Sequence, residues 1–244
     1  AYRRQRQMCI RDRPAILNPL DANALEAAVQ VKERYGGEIT CITMGPDQAM
    51  EALRECLAAG SDRAVLLSDR AFANADTLAT SYVIVSAAKM LGDFDLIFCG
   101  KESLDGATGQ MGAQLAQRFE AAQVTGTLLI KEVNEEAKTA VVERELEDGV
   151  ETLEVKLPSL FTMEKVNYPA RIPNLKGKLA AKKAVITTIT ADDIPGLDRG
   201  RIGDPGSPTK VPRMFPPVMP EPGIIIDEGS VEASVAKLMQ LIKD

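Results

Sequence analysis

The sequence predicts an α/β fold, a doubly wound parallel sheet with an antiparallel addition and an extended C-terminal arm. Short apolar runs alternate with helical stretches over residues 18–119, as they do in parallel α/β domains. Residues 128–156 instead alternate apolar and polar side chains, which is typical of antiparallel strands. Residues 196–222 are dense in glycine and proline, so they are predicted to lack regular structure. We therefore expect an α/β domain over residues 14–190 and an arm with a terminal helix over residues 191–244.

The first half of the chain carries capping signals typical of helices separated by strands. Asp21 is predicted to cap the first helix, Gly36-Gly37 to end it, and Gly60 to end the second. Asp76 is predicted to cap the third helix. The predicted helices cover residues 22–35, 47–59, 77–90 and 113–119, and the predicted strands cover residues 38–44, 64–67 and 94–99.

The second half of the chain follows a different pattern. Predicted antiparallel strands cover residues 128–133, 139–144 and 152–156, with a hairpin turn at residues 147–149, a buried strand at 158–162, an exposed loop at 167–178 and a strand at 185–189. Ser230 is predicted to cap an amphipathic helix with one apolar side, formed by Val231, Val235, Leu238, Leu241 and Ile242. This helix either docks on a partner chain or folds back on its own domain.

Composition narrows the possible functions. A net charge of −6 argues against a nucleic-acid-binding surface, and no run approaches the ~18 apolar residues of a membrane span. The four scattered cysteines are expected to be reduced thiols of a cytoplasmic protein rather than disulfides or metal ligands. Because there is no histidine, Ser-His-Asp and Cys-His nucleophile systems and His-ligated zinc are excluded. Any catalytic chemistry would have to use carboxylates, lysine or a bound cofactor.

A glycine-rich segment, residues 100–112, joins the apolar strand at residues 94–99 to the helix at residues 113–119. A strand, a glycine-rich turn and a helix in this order form a phosphate site, because backbone N–H groups and the positive end of the helix dipole face the anion. The spacing matches neither a Walker A loop nor a standard G-x-G-x-x-G. An ordinary βα turn is the alternative interpretation.

Residues 1–13 differ from the rest of the chain, with five arginines, one acidic residue and no helical or strand pattern. We interpret them as a non-native segment that resembles translated adapter sequence. A basic tail or a transit peptide is the alternative. The segment is therefore left out of the predicted fold.

Several motifs stand in a characteristic order along the chain. They are Asn18-Pro19-Leu20-Asp21, Met44-Gly45-Pro46, residues 71–77, the loop at residues 100–112, the block at residues 142–158 and residues 206–211. Together they resemble the β subunit of electron transfer flavoproteins, from Pro14 to the C-terminus. Phe161 departs from the family pattern, in which a smaller aliphatic residue is usual. The resemblance implies a doubly wound α/β domain, an arm that embraces the α subunit, and an electron carrier with no catalytic acid or base.

The resemblance also implies which residues bind the cofactor. Asn18, Pro19, Asp21 and Met44 would line the adenosine, while Asp76 and Thr77 would contact a flavin diphosphate or ribityl chain. The phosphates would lie on the glycine-rich segment, at Asp105, Gly106, Ala107, Thr108, Gly109, Gln110, Met111 and Gly112, and Gly100 and Lys101 are also implied to bind the cofactor. Backbone N–H groups would supply most of the contacts there, with Thr108 and Gln110 as side-chain donors.

The segment from residue 167 onward corresponds to the part of the family that docks dehydrogenases. The implied docking residues are Asn167, Tyr168, Pro169, Arg171 and Leu175. Tyr168 stands where the family pattern has an acidic residue, and the segment is one residue longer, so the identity of the partner stays open. An acyl-CoA or related dehydrogenase is expected, and NADH is a candidate donor. A plain proline-rich connection is the alternative.

Two cofactors occur at this site within the family. One form of the β subunit holds AMP, with FAD in the α subunit, whereas the other holds a second FAD and bifurcates electrons from NADH. The loop Asp105-Gly106-Ala107-Thr108-Gly109-Gln110-Met111-Gly112 resembles the second form, so FAD is the expected cofactor and AMP the alternative. A stand-alone adenine-nucleotide-binding regulator and an assembly subunit with a purely structural nucleotide are the competing functions.

The family's usual opening strand has no counterpart in this sequence. In a doubly wound sheet that strand is central, here between the strands at residues 38–44 and 94–99. Its loss would leave backbone groups of both neighbours unpaired, at ~1–3 kcal/mol each where they are buried. We therefore expect poor folding unless residues 7–13 occupy the gap.

Overall fold

The structure is a computed structural model that describes residues 16–104, 106–164, 167–210 and 223–243. The chain divides into two compact units, Ala1–Lys210 and Val211–Asp244. Residues 191–210, predicted as the start of the arm, belong to the first unit. Ala191, Ile194 and Ile202 are buried there in one apolar cluster with Val65 and Leu67. The compact α/β unit therefore extends to Lys210.

Six α-helices and eight strands form within the described residues. The helices are α1 (Pro19–Tyr35), α2 (Met50–Ala59), α3 (Thr77–Leu91), α4 (Met111–Phe119), α5 (Leu175–Lys183) and α6 (Val231–Lys243). The strands are β1 (Thr40–Met44), β2 (Arg63–Leu67), β3 (Leu96–Gly100), β4 (Ala122–Asn134), β5 (Thr139–Leu146), β6 (Gly149–Lys156), β7 (Ser159–Met163) and β8 (Thr187–Ile189). Short 3₁₀ helices cover Asp47–Ala49, Arg70–Phe72 and Arg199–Arg201.

The strands form two sheets, which confirms a mixed α/β architecture. The smaller sheet is parallel, in the order β1-β2-β8. The larger has the order β3-β7-β4-β5-β6, in which the first three strands are parallel and β4, β5 and β6 are antiparallel, as predicted. Its register pairs Gly100 with Met163, and the smaller sheet pairs Met44 with Leu67, so parallel strands end together at one edge of each sheet.

A single doubly wound sheet is not continuous over the described residues, because β1 and β3 are each an edge strand. The predicted filling of this gap by residues 7–13 lies outside the described residues. Helix α1 nevertheless packs on both sheets, with Ala24 in a cluster with Phe161 and Val29 in a cluster with Cys41. Helix α3 does the same, with Val83 facing the smaller sheet and Val85 the larger. The two sheets therefore share their covering helices.

The first helix begins differently from the prediction. Asn18 is at its N-cap, Pro19 occupies the first turn, and the Asp21 side chain does not cap it. Asp21 instead accepts a hydrogen bond from the Gly100 backbone N–H, on a strand 79 residues away. The prediction of Asp21 as a cap was therefore wrong, because proline at the start already fits the helix and leaves the carboxylate free for a tertiary contact.

The predicted exposed loop at residues 167–178 is wrong at Tyr168, which is buried, and from residue 175 onward. Helix α5 starts there, capped by Asn174, whose side chain accepts a hydrogen bond from the Gly177 N–H at 2.8 Å. Gly177 lets α5 lie against α2, since an added Cβ would be 2.7 Å from the Ala58 carbonyl oxygen. Arg54 of α2 donates to the Ala181 carbonyl at the other end of α5. Tertiary packing thus stabilises a helix in a segment whose glycine and prolines suggested none.

The second unit contains α6. The Ser230 hydroxyl accepts a hydrogen bond from the Ala233 N–H at 3.2 Å, which confirms the predicted cap. The predicted apolar side, from Val231 to Ile242, is largely exposed. Across the described residues, helices are too short or too polar to cross a lipid bilayer.

Candidate functional site

The start of α1 is fastened to the start of the glycine-rich loop. The Asn18 side-chain amide donates to the Asp21 carboxylate and to the Glu102 carbonyl, both at 2.8 Å. The other Asp21 oxygen accepts from the Gly100 N–H at 2.7 Å. An added Cβ on Gly100 would lie 2.7 Å from the Leu20 Cβ, so only glycine permits this approach. Three predicted site residues, Asn18, Asp21 and Gly100, are therefore in direct contact.

The loop itself is an exposed turn held by its own backbone. The Ala107 N–H donates to the Ser103 carbonyl at 3.0 Å, and Ala107 and Gly109 have positive φ angles of 44° and 62°. Helix α4 then begins at Met111, and no side chain caps it at Gln110. The first-turn N–H groups of an uncapped helix lack partners and carry the positive end of its dipole, so this end suits an anion. Asp105 lies outside the described residues.

Gly112 has a packing role in addition to the predicted contact with phosphates. It is buried in the first turn of α4. An added Cβ there would clash with the Thr162 methyl group of β7 and contact the Cys99 sulfur at 3.6 Å. Glycine at this position therefore sets how closely α4 lies on the sheet, and so where its N-terminus points.

The start of α3 borders the same loop. Asp76 caps α3 as predicted, since one carboxylate oxygen accepts from the Ala79 N–H and the other from the Thr209 N–H, both at 3.0 Å. Burial works to raise the Asp76 pKa, but these N–H groups outweigh it and hold the pKa below its usual range. The Ser207 hydroxyl accepts in turn from the Asp76 N–H at 2.8 Å. Both carboxylate oxygens of Asp76 therefore have partners within the protein, and one of them holds Thr209 against the start of α3.

Gln114 and Arg118, which the sequence prediction missed, line the face of α4 next to α3. The Thr77 hydroxyl donates to Gln110 at 2.8 Å and accepts from the Gln114 amide at 3.2 Å. One turn further on, Arg118 donates to the Ser81 hydroxyl at 3.0 Å. Gln110, Gln114 and Arg118 are spaced by four residues, so they share one helix face. That spacing is a signal that the sequence already carried.

Lys101 and Met44 both contact residues outside the glycine-rich loop. The Lys101 ammonium pairs with Glu164 at 2.8 Å, and this hydrogen bond raises the Lys101 pKa. Met44 ends β1 and packs at the edge of an apolar cluster that includes Phe72. These two predicted cofactor residues therefore have protein partners of their own.

The predicted docking segment packs against α1 and β4. Tyr168 is 2% exposed, and its hydroxyl accepts from the Ile130 N–H at 2.8 Å. Asn167 donates to the Leu128 carbonyl at 3.0 Å. Arg171 pairs with Glu26 at 2.6 Å and with Glu33 at 2.8 Å. Three of the predicted docking residues therefore fasten the segment to the α/β unit.

Exposed apolar side chains follow these anchors. Ile172 is 90% exposed and Leu175 is 73% exposed, and Leu179 lies one turn beyond Leu175 on α5. Pro169 is also exposed. These exposed apolar side chains, which follow the buried Tyr168 and the Arg171 ion pairs along the chain, are suited to contact another protein.

Comparison with known proteins identifies the family. The model of the electron transfer flavoprotein domain matches residues 8–194. The chain belongs to the electron transfer flavoprotein family. It is similar to the β subunit of an electron transfer flavoprotein from Thermoanaerobacterium thermosaccharolyticum, with 43% identity over 93% of this chain and 85% of the relative. The predicted resemblance is confirmed.

Other relatives carry different names within the same family. The caffeyl-CoA reductase-Etf complex subunit CarD of Acetobacterium woodii is 43% identical over 95% of this chain and 87% of its own length. Protein FixA of Bradyrhizobium diazoefficiens is 40% identical over 90% of this chain and 78% of its own length.

The described residues contain no cluster of three or more His, Cys, Asp or Glu side chains that could ligate a metal. Cys41, Cys56 and Cys99 are free thiols within the part of the chain that the structure describes. Burial raises the pKa of Cys99 to about 12, so it stays protonated near neutral pH.

One feature of the loop region fits an adenine nucleotide. The Asn18 carbonyl oxygen, Oδ1, is buried and has no hydrogen-bond donor among the described residues. Its amide nitrogen faces two acceptors, the Asp21 carboxylate and the Glu102 carbonyl, so this orientation of the side chain is the favourable one. An unpaired buried acceptor costs ~1–3 kcal/mol, and a ligand amine or hydroxyl would supply the missing donor.

Proposed function

We propose that this chain is the β subunit of a heterodimeric electron transfer flavoprotein that passes electrons between a dehydrogenase and an acceptor through bound flavin. The observation that supports this most directly is the contact set of Asn18, Asp21 and Gly100 beside the uncapped start of α4. It offers a buried acceptor for a nucleoside next to free backbone N–H groups for phosphate. The chain is then an electron carrier subunit rather than a catalyst with side-chain chemistry of its own.

The cofactor that we propose for this site is FAD. Asn18, Pro19, Asp21 and Met44 would hold the adenosine, and residues 105–112 the phosphates. The flavin supplies the electron chemistry when it is bound, while the protein binds and orients it. Gly106 and Ala107 are small and exposed, which supports a dinucleotide over AMP. AMP in this site, with FAD confined to the α subunit, is the alternative.

Two partner surfaces belong to the proposal. The exposed apolar side of α6 would dock on the α subunit, as suggested by a relative that is named as a subunit of an Etf complex. Ile172 and Leu175 would contact an acyl-CoA or related dehydrogenase, with NADH as donor in a bifurcating complex. Within this proposal the protein is cytoplasmic, and its two sheets are the halves of one doubly wound sheet, which is supported by the helices that both share.

The test is the nucleotide content of the heterodimer purified with its cognate α subunit. Two FAD molecules per heterodimer would support the proposal. One FAD and one AMP per heterodimer would mean that the β site holds AMP instead of FAD. A correctly assembled heterodimer that releases no adenine nucleotide from the β chain would overturn the function.

A matched pair of variants locates the site. Asn18→Asp removes the amide donor and places a second carboxylate beside Asp21, so we expect nucleotide affinity to fall by ~10-fold or more. Asn134→Asp is the control, because the Asn134 side chain only accepts a hydrogen bond, from the Ala137 N–H, and a carboxylate can do the same. Equal affinities for the two variants would place the nucleotide elsewhere.

A further inference from the structure

Gln114 has an unpaired buried acceptor at the junction of α3 and α4. Its side-chain nitrogen Nε2 donates to the Thr77 hydroxyl at 3.2 Å. In the structure Thr77 donates its hydroxyl proton to Gln110, and Gln114 contacts Thr77 through Nε2 rather than through Oε1. Oε1 is buried and has no donor among the described residues. Such an atom is stabilised by a donor from outside the protein.

The position of Gln114 indicates which part of a ligand reaches it. The beginning of the loop contacts α1, where Asn18 donates to the Glu102 carbonyl. The end of the loop contacts α3, where Gln110 accepts a hydrogen bond from Thr77. A nucleotide whose adenosine lies at Asn18 and whose phosphates lie on the loop would therefore present at Gln114 whatever group follows the phosphates. A mononucleotide has no such group, whereas a flavin dinucleotide has a polyol chain rich in hydroxyl donors.

We propose that Gln114 is a specificity-determining residue of this site, whose Oε1 accepts a hydrogen bond from a polyol hydroxyl beyond the phosphates. The inference rests on the proposed function and deepens it, because it names the ligand as a dinucleotide with a hydroxylated linker. Thr77 is a positioning residue in this arrangement, since its hydroxyl holds the Gln114 amide in place. Gln114 then favours FAD over AMP or ADP.

The experiment compares nucleotide binding by heterodimers that share one unchanged α subunit. Each heterodimer is freed of loosely bound nucleotide and titrated with FAD, ADP and AMP by calorimetry, so differences between variants report the β site. Gln114→Met keeps the length of the side chain but loses both polar groups. We expect it to weaken FAD binding by ~5- to 20-fold and to change ADP and AMP binding by less than ~2-fold.

Two further variants sharpen the outcome. Thr77→Val removes the hydroxyl that holds Gln114, and the same selective loss of FAD affinity is expected. Gln117→Met is the matched control, because Gln117 lies on α4 with an exposed side chain, and its FAD affinity should equal that of the unaltered protein. Melting temperatures of all variants check that each is folded.

The results separate the inference from the proposed function. Unchanged FAD affinity in Gln114→Met, or equal loss for FAD, ADP and AMP, would overturn the role of Gln114 while leaving the nucleotide site in place. Failure of the unaltered heterodimer to bind any of the three nucleotides at the β site would overturn the proposed function, and the inference with it.

Discussion

The Arg171 guanidinium holds the Glu26 carboxylate through two hydrogen bonds, from Nε at 2.6 Å and from Nη2 at 3.1 Å. The two residues are 145 positions apart in the sequence. The Glu26 side chain is 7% exposed and the Arg171 side chain is 33% exposed, so the pair joins the docking segment to the middle of α1 with the carboxylate largely shielded from water. Because α1 begins at Asn18 in the candidate nucleotide site, one helix connects the two predicted functional regions.

Removing Arg171 should destabilise the protein. Arg171→Ala leaves the Glu26 carboxylate buried without its cation, and we expect the free energy of unfolding to fall by ~3 kcal/mol. Urea denaturation followed by circular dichroism measures it. Arg199→Ala is the control, since Arg199 pairs with Asp192 at an exposed site. Loss of an exposed pair should lower the free energy of unfolding by only ~0–1 kcal/mol. Equal losses in the two variants would contradict a special role for the Arg171 pair.

The same pair should make stability depend on pH in the acid range. Burial works to raise the Glu26 pKa, but the hydrogen bonds from Arg171 and Gln30 lower it below the ordinary value of 4.5. A carboxylate with a lowered folded pKa contributes stability that is fully present above its unfolded pKa and is lost as the pH falls through the folded pKa. Stability measured from pH 7 to pH 3 should therefore fall less steeply below pH 4.5 in Arg171→Gln. Parallel curves for this variant and the unaltered protein would refute the assignment.

The Tyr168 hydroxyl should contribute to stability rather than to partner contact. Tyr168→Phe leaves the buried Ile130 N–H without its acceptor, and we expect a loss of ~1–3 kcal/mol in the free energy of unfolding. Tyr35→Phe, at a site 36% exposed, is the control and should change stability by less than ~0.5 kcal/mol. A stable Tyr168→Phe variant with weakened dehydrogenase binding would instead make Tyr168 a docking residue.

Replacing Gly112 should destabilise the protein because of Thr162. Gly112→Ala brings a Cβ against the Thr162 methyl group, and we expect a loss of ~1–3 kcal/mol from overpacking. The double variant Gly112→Ala, Thr162→Ser removes that methyl group and keeps the hydroxyl that accepts from the Gly126 N–H, so it should regain most of the stability. Gly149→Ala, where an added Cβ meets nothing within 4 Å, is the control. No recovery in the double variant would place the clash elsewhere.

Caps were predictable where the partner is close in sequence. Asp76 and Ser230 each accept from an N–H three residues ahead, and such a contact depends only on the local backbone. Asp21 looked equally suited to a cap, yet its carboxylate binds the Gly100 N–H on another element. Local propensity does not reveal which of two competing partners a side chain takes.

The candidate site was likewise predictable only where its residues are close together in the sequence. The glycine-rich loop and its helix could be predicted because they are continuous in sequence. Gln114 was missed because its importance lies in a contact with Thr77, 37 residues earlier, and in burial of its Oε1. Its spacing of four from Gln110 was visible, but spacing alone does not show which neighbour a helix face meets.

The sequence by itself determined the α/β class, the order of most elements, the glycine-rich loop between a strand and a helix, and membership of the electron transfer flavoprotein family. These follow from periodicity, caps and motifs, which are properties of short stretches of chain. Only the tertiary structure decided that Arg171 and Tyr168 are anchors, that α5 forms on α2, and that Gly112 meets Thr162. These depend on residues brought together from distant positions, where burial and shape, rather than local preference, set the free energy.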